Sequence, residues 1–514
     1  MRTTKVERVR GVNDILPDTY QIDQQIKSIL SKCFECYGYR PIDVPLIEYT
    51  ELYLKKSGED IVSRLYDFVF RNRRLCLRPE FTASVVRAYL DNLKGVPLPV
   101  RLYYMGPAFR YERPQKERYR QFTQMGIELI GATGAIADAE VISTACQGLD
   151  NLGLTQYRVV IGHIGVVNNF LDNLQLETRL RSFLLTNMET FKKEGKRAVE
   201  NRLQQIFPGF GDNYSSINQS VVKSTNKKLT DILQSMEANE ARTAIFDLLD
   251  SMNIGIGGTR EPEEIVDRLL TKMKRQDQTQ KLSQALKFMG ELIQLKGEPV
   301  EVLKEAEKLL SNYRIDASSL TQLHEIVDTL EYYNVDKSRI SFDLGVSRGL
   351  QYYTGMIFEI YHGKPGEERQ ICGGGRYDDL IVNLGGRQET PATGFSYGME
   401  RLRQALETEG KIKENDNFVD ILVVAVGEED YSYAIRVAEQ LRKVMLKVEL
   451  DVKLRNVSSN LQYATKQNIP YVIIVGPTER MAAEVVLKNM ASGEQKSLEV
   501  SEVISKLKGS EIYL

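Results

Sequence analysis

The sequence predicts an α+β protein: an antiparallel-sheet domain interrupted by a helical insertion and followed by a small α/β domain. Three observations carry that prediction. Residues 101–130, RLYYMGPAFRYERPQKERYRQFTQMGIELI, hold two strand-like runs around a polar, basic loop, the pattern of an antiparallel hairpin. From about 168 to 330 the chain turns to helix formers and charge, in stretches such as EEIVDRLLTKMKRQ and EVLKEAEKLL, with few strand signals. In the last stretch the apolar runs DILVVAVG, VELDVKL and PYVIIVG alternate with helical segments. The expected boundaries are 1–167 and 331–410 for the two parts of the sheet domain, 168–330 for the insertion and 418–514 for the ending.

Taken in order, the opening RGVNDILPDTYQIDQQIKSILSKCFECYGYR reads as loop and then long helix. Ile22, Ile26, Leu30 and Phe34 recur at helical spacing, and Gly38 marks the helix end. Pro45 follows inside an expected strand, where a missing N–H donor is tolerated at an edge, so this strand is expected at a dimer seam. Residues 60–130 read as successive antiparallel strands around one helix, with LRPEFT (77–82) leading into it. The segment YRVVIGHIGVV, from Tyr157, is a further strand. Within the insertion, FPGFGDNYSSINQS and NIGIGGTREP are expected hinges. Strand patterning returns in ISFDLGVSRGLQYYTGMIFEIYH, GGGRYDDL and TPATGFSYGMERLRQAL, and the polar bridge EGKIKENDNF leads to the ending.

The hairpin carries the densest chemistry. At strand period, Gly106, Ala108, Arg110 and Glu112 share one face of its first run, and Phe122, Gln124, Gly126 and Glu128 share one face of its second. Met125, Ile127 and Leu129 point the other way and suit a core. A polar face supported from behind suits an anionic nucleotide beside a small polar ligand. Residues 101–120 hold six basic and two acidic side chains, although the whole chain carries a formal charge of only -2. A polyanion must therefore be held by local basic patches.

The bulk numbers exclude several classes. A length of 514 residues with 42% hydrophobic content allows about two to four packed domains. Five cysteines without paired spacing indicate a reduced, cytoplasmic protein, and the lone CxxC of Cys33 and Cys36 lies on an expected amphipathic helix without metal-binding partners. The start, MRTTKVERVRG, lacks an apolar signal core, and the sequence has no run of about eighteen apolar residues, so no membrane partner is expected. His163, His324 and His362 have no metal-ligand spacing and read as structural or surface residues.

Five landmarks stand in order: Pro45, LRPEFT, FRYERPQKERYRQF, SRGLQYYTG and GFSYGMERL. With them the chain resembles the histidyl-tRNA synthetase family of class II aminoacyl-tRNA synthetases, over most of its length outside the insertion. The resemblance implies a class II antiparallel-sheet catalytic domain, a helical insertion and a C-terminal anticodon-binding domain. It implies ATP, as its Mg2+ complex with no dedicated protein metal site, together with L-histidine and tRNA(His) as partners, and a homodimer.

Adenylation joins a carboxylate to the α-phosphate of ATP, so the task is to neutralise charge while holding two anions in line. Planar arginine forks suit it. By resemblance, Arg110 would hold the α-phosphate, Glu112 the adenine amino group and Arg118 the outer phosphates, while Phe122 would stack on adenine. Arg401 would clamp the phosphate end and cover the base. Arg348 would sit against the α-phosphate and the incoming carboxylate. Glu128 and Tyr353 would meet the imidazole, Glu80, Thr82 and Gln124 the α-amino group, and Tyr377 would close the pocket wall. Glycines 373 to 375 would allow close backbone approach. Gln115 falls where bacterial and archaeal relatives read the extra guanine of the tRNA end.

The bland readings stand beside these. Tyr352 is expected to pack inside, and Lys116 reads equally as a solvated loop charge. Lys453, Arg455 and Lys466 are candidate RNA phosphate contacts, although NVSSNLQYATKQ is less basic than an anticodon domain suggests. Gln351 stands where many family members have Asp. The insertion is expected, by analogy, to bind the acceptor stem. Two readings without catalysis compete: the histidine-binding regulatory subunit of ATP phosphoribosyltransferase, which shares the catalytic fold but normally lacks the anticodon domain, and a synthetase-like tRNA sensor.

Overall fold

A computed structural model describes residues 6–55, 64–111, 119–207, 243–244, 278, 280–346, 352–364, 366–412 and 417–508. Contacts divide the chain into two units, Met1–Ile412 and Lys413–Leu514. The first helix, Pro17–Cys36, starts on a proline already set for helical φ and buries Ile26, Leu30, Cys33 and Phe34. Gly38, at φ +80°, turns the chain out of it.

The strands of the first unit are β1 (Arg40–Pro41), β2 (Ile47–Tyr49), β3 (Tyr66–Phe70), β4 (Arg73–Leu77), β5 (Val100–Phe109) and β6 (Gln121–Ile130), then β7 (Tyr157–His163), β8 (Lys296–Gly297), β9 (Ile340–Asp343), β10 (Met356–His362), β11 (Arg369–Arg376) and β12 (Ala392–Gly398). Nine of them form one sheet in the order β1-β5-β6-β12-β11-β10-β7-β9-β8, and β2-β4-β3 form a separate small sheet. From β5 to β7 every neighbouring pair in the large sheet is antiparallel; β1 beside β5 and β9 beside β7 are parallel. The expected α+β class holds.

Met125, Ile127 and Leu129 of β6 join the main core with Phe34 and residues of the helix Gly134–Asn151, all almost fully buried. The opposite sheet face carries a second cluster in which Phe81, Tyr104, Tyr352, Tyr353 and Tyr377 meet. One face is therefore a plain hydrophobic support, and the other is lined by aromatic rings with polar tips.

Some expectations need correction. Pro45 lies between β1 and β2 rather than in a strand. The Val44 carbonyl beside it is taken by the Arg78 side chain instead of a strand neighbour. The strand from Tyr157 stops at His163, whose ring accepts the Gly165 N–H and starts the helix Ile164–Asn173. Between β7 and β9 the described residues are mainly helical, including Pro299–Tyr313 and Ser318–Tyr332, but β8 adds an edge strand. Of the expected hinges, FPGFGDNYSSINQS apart from Phe207, and all of NIGIGGTREP, lie outside the described residues. Residues 413–416 of the polar bridge do too.

The second unit carries β13 (Ile421–Ala425), β14 (Val448–Leu450), β15 (Tyr471–Val475), β16 (Glu484–Asn489) and β17 (Gln495–Glu499), ordered β14-β13-β15-β16-β17. The first three are parallel and the last two antiparallel, with the helices Tyr431–Lys443 and Val500–Lys508 packed on one core. No helix among the described residues is long and apolar enough to cross a membrane.

Candidate active site

The register of the large sheet assembles the site. Across β5 and β6, Gly106 faces Gln124 and Ala108 faces Phe122; across β6 and β12, Glu128 faces Gly394 and Gly126 faces Ser396. Small residues on neighbouring strands leave two adjoining cavities over this surface. The larger, about 250 Å³, is lined by Arg64, Arg110, Tyr119, Phe122, Gln124, Gly373, Ser396, Glu400 and Arg401. The smaller, about 30 Å³, is lined by Glu80, Thr82, Tyr104, Tyr352, Tyr353 and Tyr377. Arg110, Gln124, Gly373 and Ser396 line both. Whatever occupies one cavity therefore abuts the occupant of the other.

Each polar group is held from behind. Arg110 donates from Nε to the Pro79 carbonyl at 2.9 Å, and its guanidinium lies 5.1 Å from the Phe122 ring centre, so the cation and the ring it accompanies are set together. Arg401 donates from Nη1 to the Gln370 carbonyl at 2.8 Å. Glu80 is buried, yet its carboxylate accepts the N–H groups of Thr82 at 2.7 Å and Ala83 at 3.1 Å, at the start of the helix Thr82–Asn92. That helix end offers unpaired donors and a partial positive charge.

Glu128, 1% exposed, sits under the smaller cavity. It accepts the Tyr104 hydroxyl at 3.2 Å and also the Tyr377 hydroxyl. Burial first, and the Glu128 charge second, push both phenols well above their ordinary range, so each stays a donor. Gln124 donates to the Ser396 hydroxyl at 3.2 Å, while its Oε1 is buried with no hydrogen-bond partner among the described residues. An unpaired buried acceptor at the junction suits a ligand that brings N–H donors. The Glu400 carboxylate accepts the Thr123 N–H at 2.8 Å, and burial raises its pKa.

Of the residues singled out from sequence, Arg110, Phe122, Gln124 and Arg401 line the larger cavity. Glu80, Thr82, Gln124, Tyr353 and Tyr377 line the smaller one, with Glu128 directly beneath. Glu112, Gln115, Arg118 and Arg348 lie outside the described residues, as do Lys116 and Gln351. Tyr352 packs inside as expected, in the second buried cluster, and from there it also lines the smaller cavity and donates to the Tyr353 hydroxyl at 3.4 Å. Tyr353 lies before β10, not on it.

Tyr104, Ser396 and Glu400 were missed. Tyr104 has the same parity as Gly106, so extending that face by two residues finds it. Ser396 and Glu400 lie within GFSYGMERL. In the second unit Arg455 turns inward, its Nε donating to Asp451 at 3.0 Å and its guanidinium lying 4.2 Å from the Tyr463 ring centre, which weakens its case as a phosphate contact. His163 meets Gln322 at 2.8 Å, His324 meets Asp328 at 2.9 Å and His362 meets Glu409 at 3.0 Å. Among the described residues no three His, Cys, Asp or Glu side chains converge as a metal-holding group.

Residues 11–256 and 217–402 match the family model described as histidyl-tRNA synthetase. The chain belongs to the histidyl-tRNA synthetase family. Residues 420–510 match a second model, the anticodon binding domain. The chain is 34% identical to the histidine–tRNA ligase of Methanocaldococcus jannaschii, over 97% of this chain and 98% of that protein. It is 32% identical to the histidine–tRNA ligase of Pyrococcus furiosus, over 98% and 99%. Among solved structures, apo histidyl-tRNA synthetase from S. aureus superimposes with a TM-score of 0.64 at 23% identity, covering 98% of this chain and 99% of that one. A Bacillus halodurans protein described as an ATP phosphoribosyltransferase regulatory subunit/histidyl-tRNA synthetase gives 0.62 at 23% identity, over 92% and 99%. These structures share the synthetase fold with this chain.

Proposed function

We propose that this chain joins L-histidine to tRNA(His) through a histidyl-adenylate. The observation that carries the reading is the pair of adjoining cavities sharing Arg110, Gln124, Gly373 and Ser396. ATP occupies the larger one: Phe122 stacks on adenine, Arg401 holds the phosphate end, and Arg110 holds the α-phosphate. Histidine occupies the smaller one. Glu128 and Tyr353 pair with its ring, Glu80, Thr82 and Gln124 take its ammonium, and Tyr377 closes the wall.

A histidine carboxylate oxygen attacks the α-phosphorus, the bond to the β-phosphate oxygen breaks, and pyrophosphate leaves with its Mg2+. The carboxylate is already ionised, so no general base is required. Arg348 stabilises the charge between the reacting anions, with Glu112 on the adenine and Arg118 on the outer phosphates. A terminal ribose hydroxyl of the tRNA then attacks the carbonyl carbon, its proton passing to the phosphate of the departing AMP as the acyl–phosphate bond breaks. Gln115 reads the extra guanine at the tRNA end, and the second unit binds the anticodon.

The working form is a cytoplasmic homodimer. Ile47, Tyr49, Phe68, Val69 and Phe70 of the small β2-β4-β3 sheet are exposed apolar side chains, which supports a covered face there. The regulatory alternative is disfavoured by the match of residues 420–510 to an anticodon-binding domain. The test is ATP-dependent charging of a tRNA(His) transcript with labelled histidine, with and without the extra guanine. Charging that depends on that guanine, and loses the dependence in Gln115→Ala, supports the reading; tight histidine binding with no charging contradicts it.

A further inference from the structure

Arg78 is among the largest side chains shut off from solvent, at 1% exposure, and the adenylation scheme gives it no task. Its Nε donates to the Pro107 carbonyl at 2.9 Å and its Nη1 donates to the Val44 carbonyl. Asp43, itself exposed, stands 4.0 Å away. Burying a cation among neutral carbonyls is costly even with the Asp43 and Glu48 charges favouring it from a distance, and an apolar side chain would fill the same space. The guanidinium supplies something an apolar chain lacks, a flat charged face.

That face is used. The guanidinium carbon lies 3.8 Å from the Phe81 ring centre, and Phe81 stacks on Tyr104 with centres 4.3 Å apart and planes 5° from parallel. The Tyr104 hydroxyl ends on Glu128. Backbone bonds pin the outer layer, since the Arg78 N–H donates to the Leu46 carbonyl at 2.9 Å and its own carbonyl accepts the Phe109 N–H at 2.9 Å. Glycines clear the path: a Cβ on Gly106 would stand 2.6 Å from Arg78 Nη2, and one on Gly126 would stand 2.8 Å from the Tyr104 hydroxyl.

We propose that Arg78 is a positioning residue for histidine recognition, acting through Phe81 and Tyr104 to hold the Glu128 carboxylate in the orientation that reads the imidazole. The inference rests on the proposed histidine pocket. The stack stops the Tyr104 ring from rotating away, so the hydroxyl stays on Glu128 and the carboxylate keeps one orientation beneath the smaller cavity. Lysine at this position keeps the charge but has neither the planar face nor the fork that reaches two carbonyls.

The test measures histidine-dependent ATP–pyrophosphate exchange in the full chain, with KM for histidine and for ATP determined separately. Arg78→Lys is expected to raise KM for histidine roughly tenfold while KM for ATP stays within about twofold. Tyr104→Phe removes only the hydroxyl and is expected to act in the same direction. Because both changes break one link, the double variant should be little worse than Tyr104→Phe. Independent, multiplying effects would overturn the proposal, as would an equal rise in both KM values, the signature of a residue that only supports the fold. Phe81→Leu paired with Tyr104→Phe provides the same cycle if Arg78→Lys does not fold. Failure of the unaltered chain to exchange would sink the histidine reading itself, whereas normal exchange with multiplying effects sinks this inference alone.

Discussion

Gln124 of β6 donates to the Ser396 hydroxyl of β12 at 3.2 Å, in the wall common to both cavities, while its Oε1 is left without a partner among the described residues. A bound ammonium would satisfy that acceptor. Gln124→Met keeps length and burial but removes it. Hydrogen bonds to charged groups contribute roughly 1.5–3 kcal/mol. We expect kcat/KM for histidine to fall roughly 10- to 150-fold in pyrophosphate exchange, the equivalent of that energy, with KM for ATP nearly constant.

Glu128→Gln leaves the volume intact and replaces an acceptor-only group with one that carries donors. The Tyr104 and Tyr377 hydroxyls both donate to the carboxylate, so an amide nitrogen would be forced against a phenol or the ligand. A buried polar site that loses its partner discriminates by roughly 10⁴-fold at the upper end. Isothermal titration should show histidine affinity lowered at least about a hundredfold.

Arg110 faces both cavities and is fixed by the Pro79 carbonyl and the Phe122 ring. Its proposed role is to stabilise charge in the transition state rather than to bind substrate. Arg110→Ala should therefore lower kcat by roughly 10²–10³, with a smaller change in KM for histidine. Steady-state exchange rates resolve the two.

Gly394 tests the packing beneath the site. A Cβ there would stand 2.0 Å from Glu128 Oε2 and 2.4 Å from the Ile127 carbonyl oxygen, whereas one on Gly398 of the same strand meets nothing within 4 Å. Gly394→Ala should cost roughly 1–3 kcal/mol of stability and displace Glu128, while Gly398→Ala should leave packing unchanged. Thermal denaturation of the two variants makes the comparison.

His163 is buried at the junction of β7 and the following helix, and burial lowers its pKa from 6.5 to about 4. Its Nδ1 accepts the Gly165 N–H at 3.1 Å, so the ring must stay neutral there. Between those two pKa values the unfolded chain binds the proton and the folded chain does not. Stability from this group is full above the unfolded value and is lost as pH falls through the window, by roughly 3 kcal/mol. His163→Gln should show a smaller loss of denaturation midpoint between pH 7 and pH 4.5 than the unaltered chain.

The hairpin and its two-faced pattern were legible because strand period alone separates Gln124 and Glu128 from Met125, Ile127 and Leu129. The α+β class followed from the same patterning. What escaped depends on neighbours distant in sequence. Tyr104 opposes Gly126 in the register, and its hydroxyl reaches Glu128 diagonally, so its importance emerges only once β5 and β6 are paired. Arg78 lies within LRPEFT without a pattern of its own, and its burial makes sense only once the Phe81 ring and the Pro107 and Val44 carbonyls are brought around it. Pro45 suggested an edge strand, but side-chain capture of the Val44 carbonyl draws that segment out of the sheet.

The most direct test of the central claim is pyrophosphate exchange into ATP measured with each amino acid in turn. The account predicts exchange with histidine alone, abolished by Arg348→Ala, the group proposed between the reacting anions. Histidine binding without exchange, or exchange driven equally well by another amino acid, would contradict it.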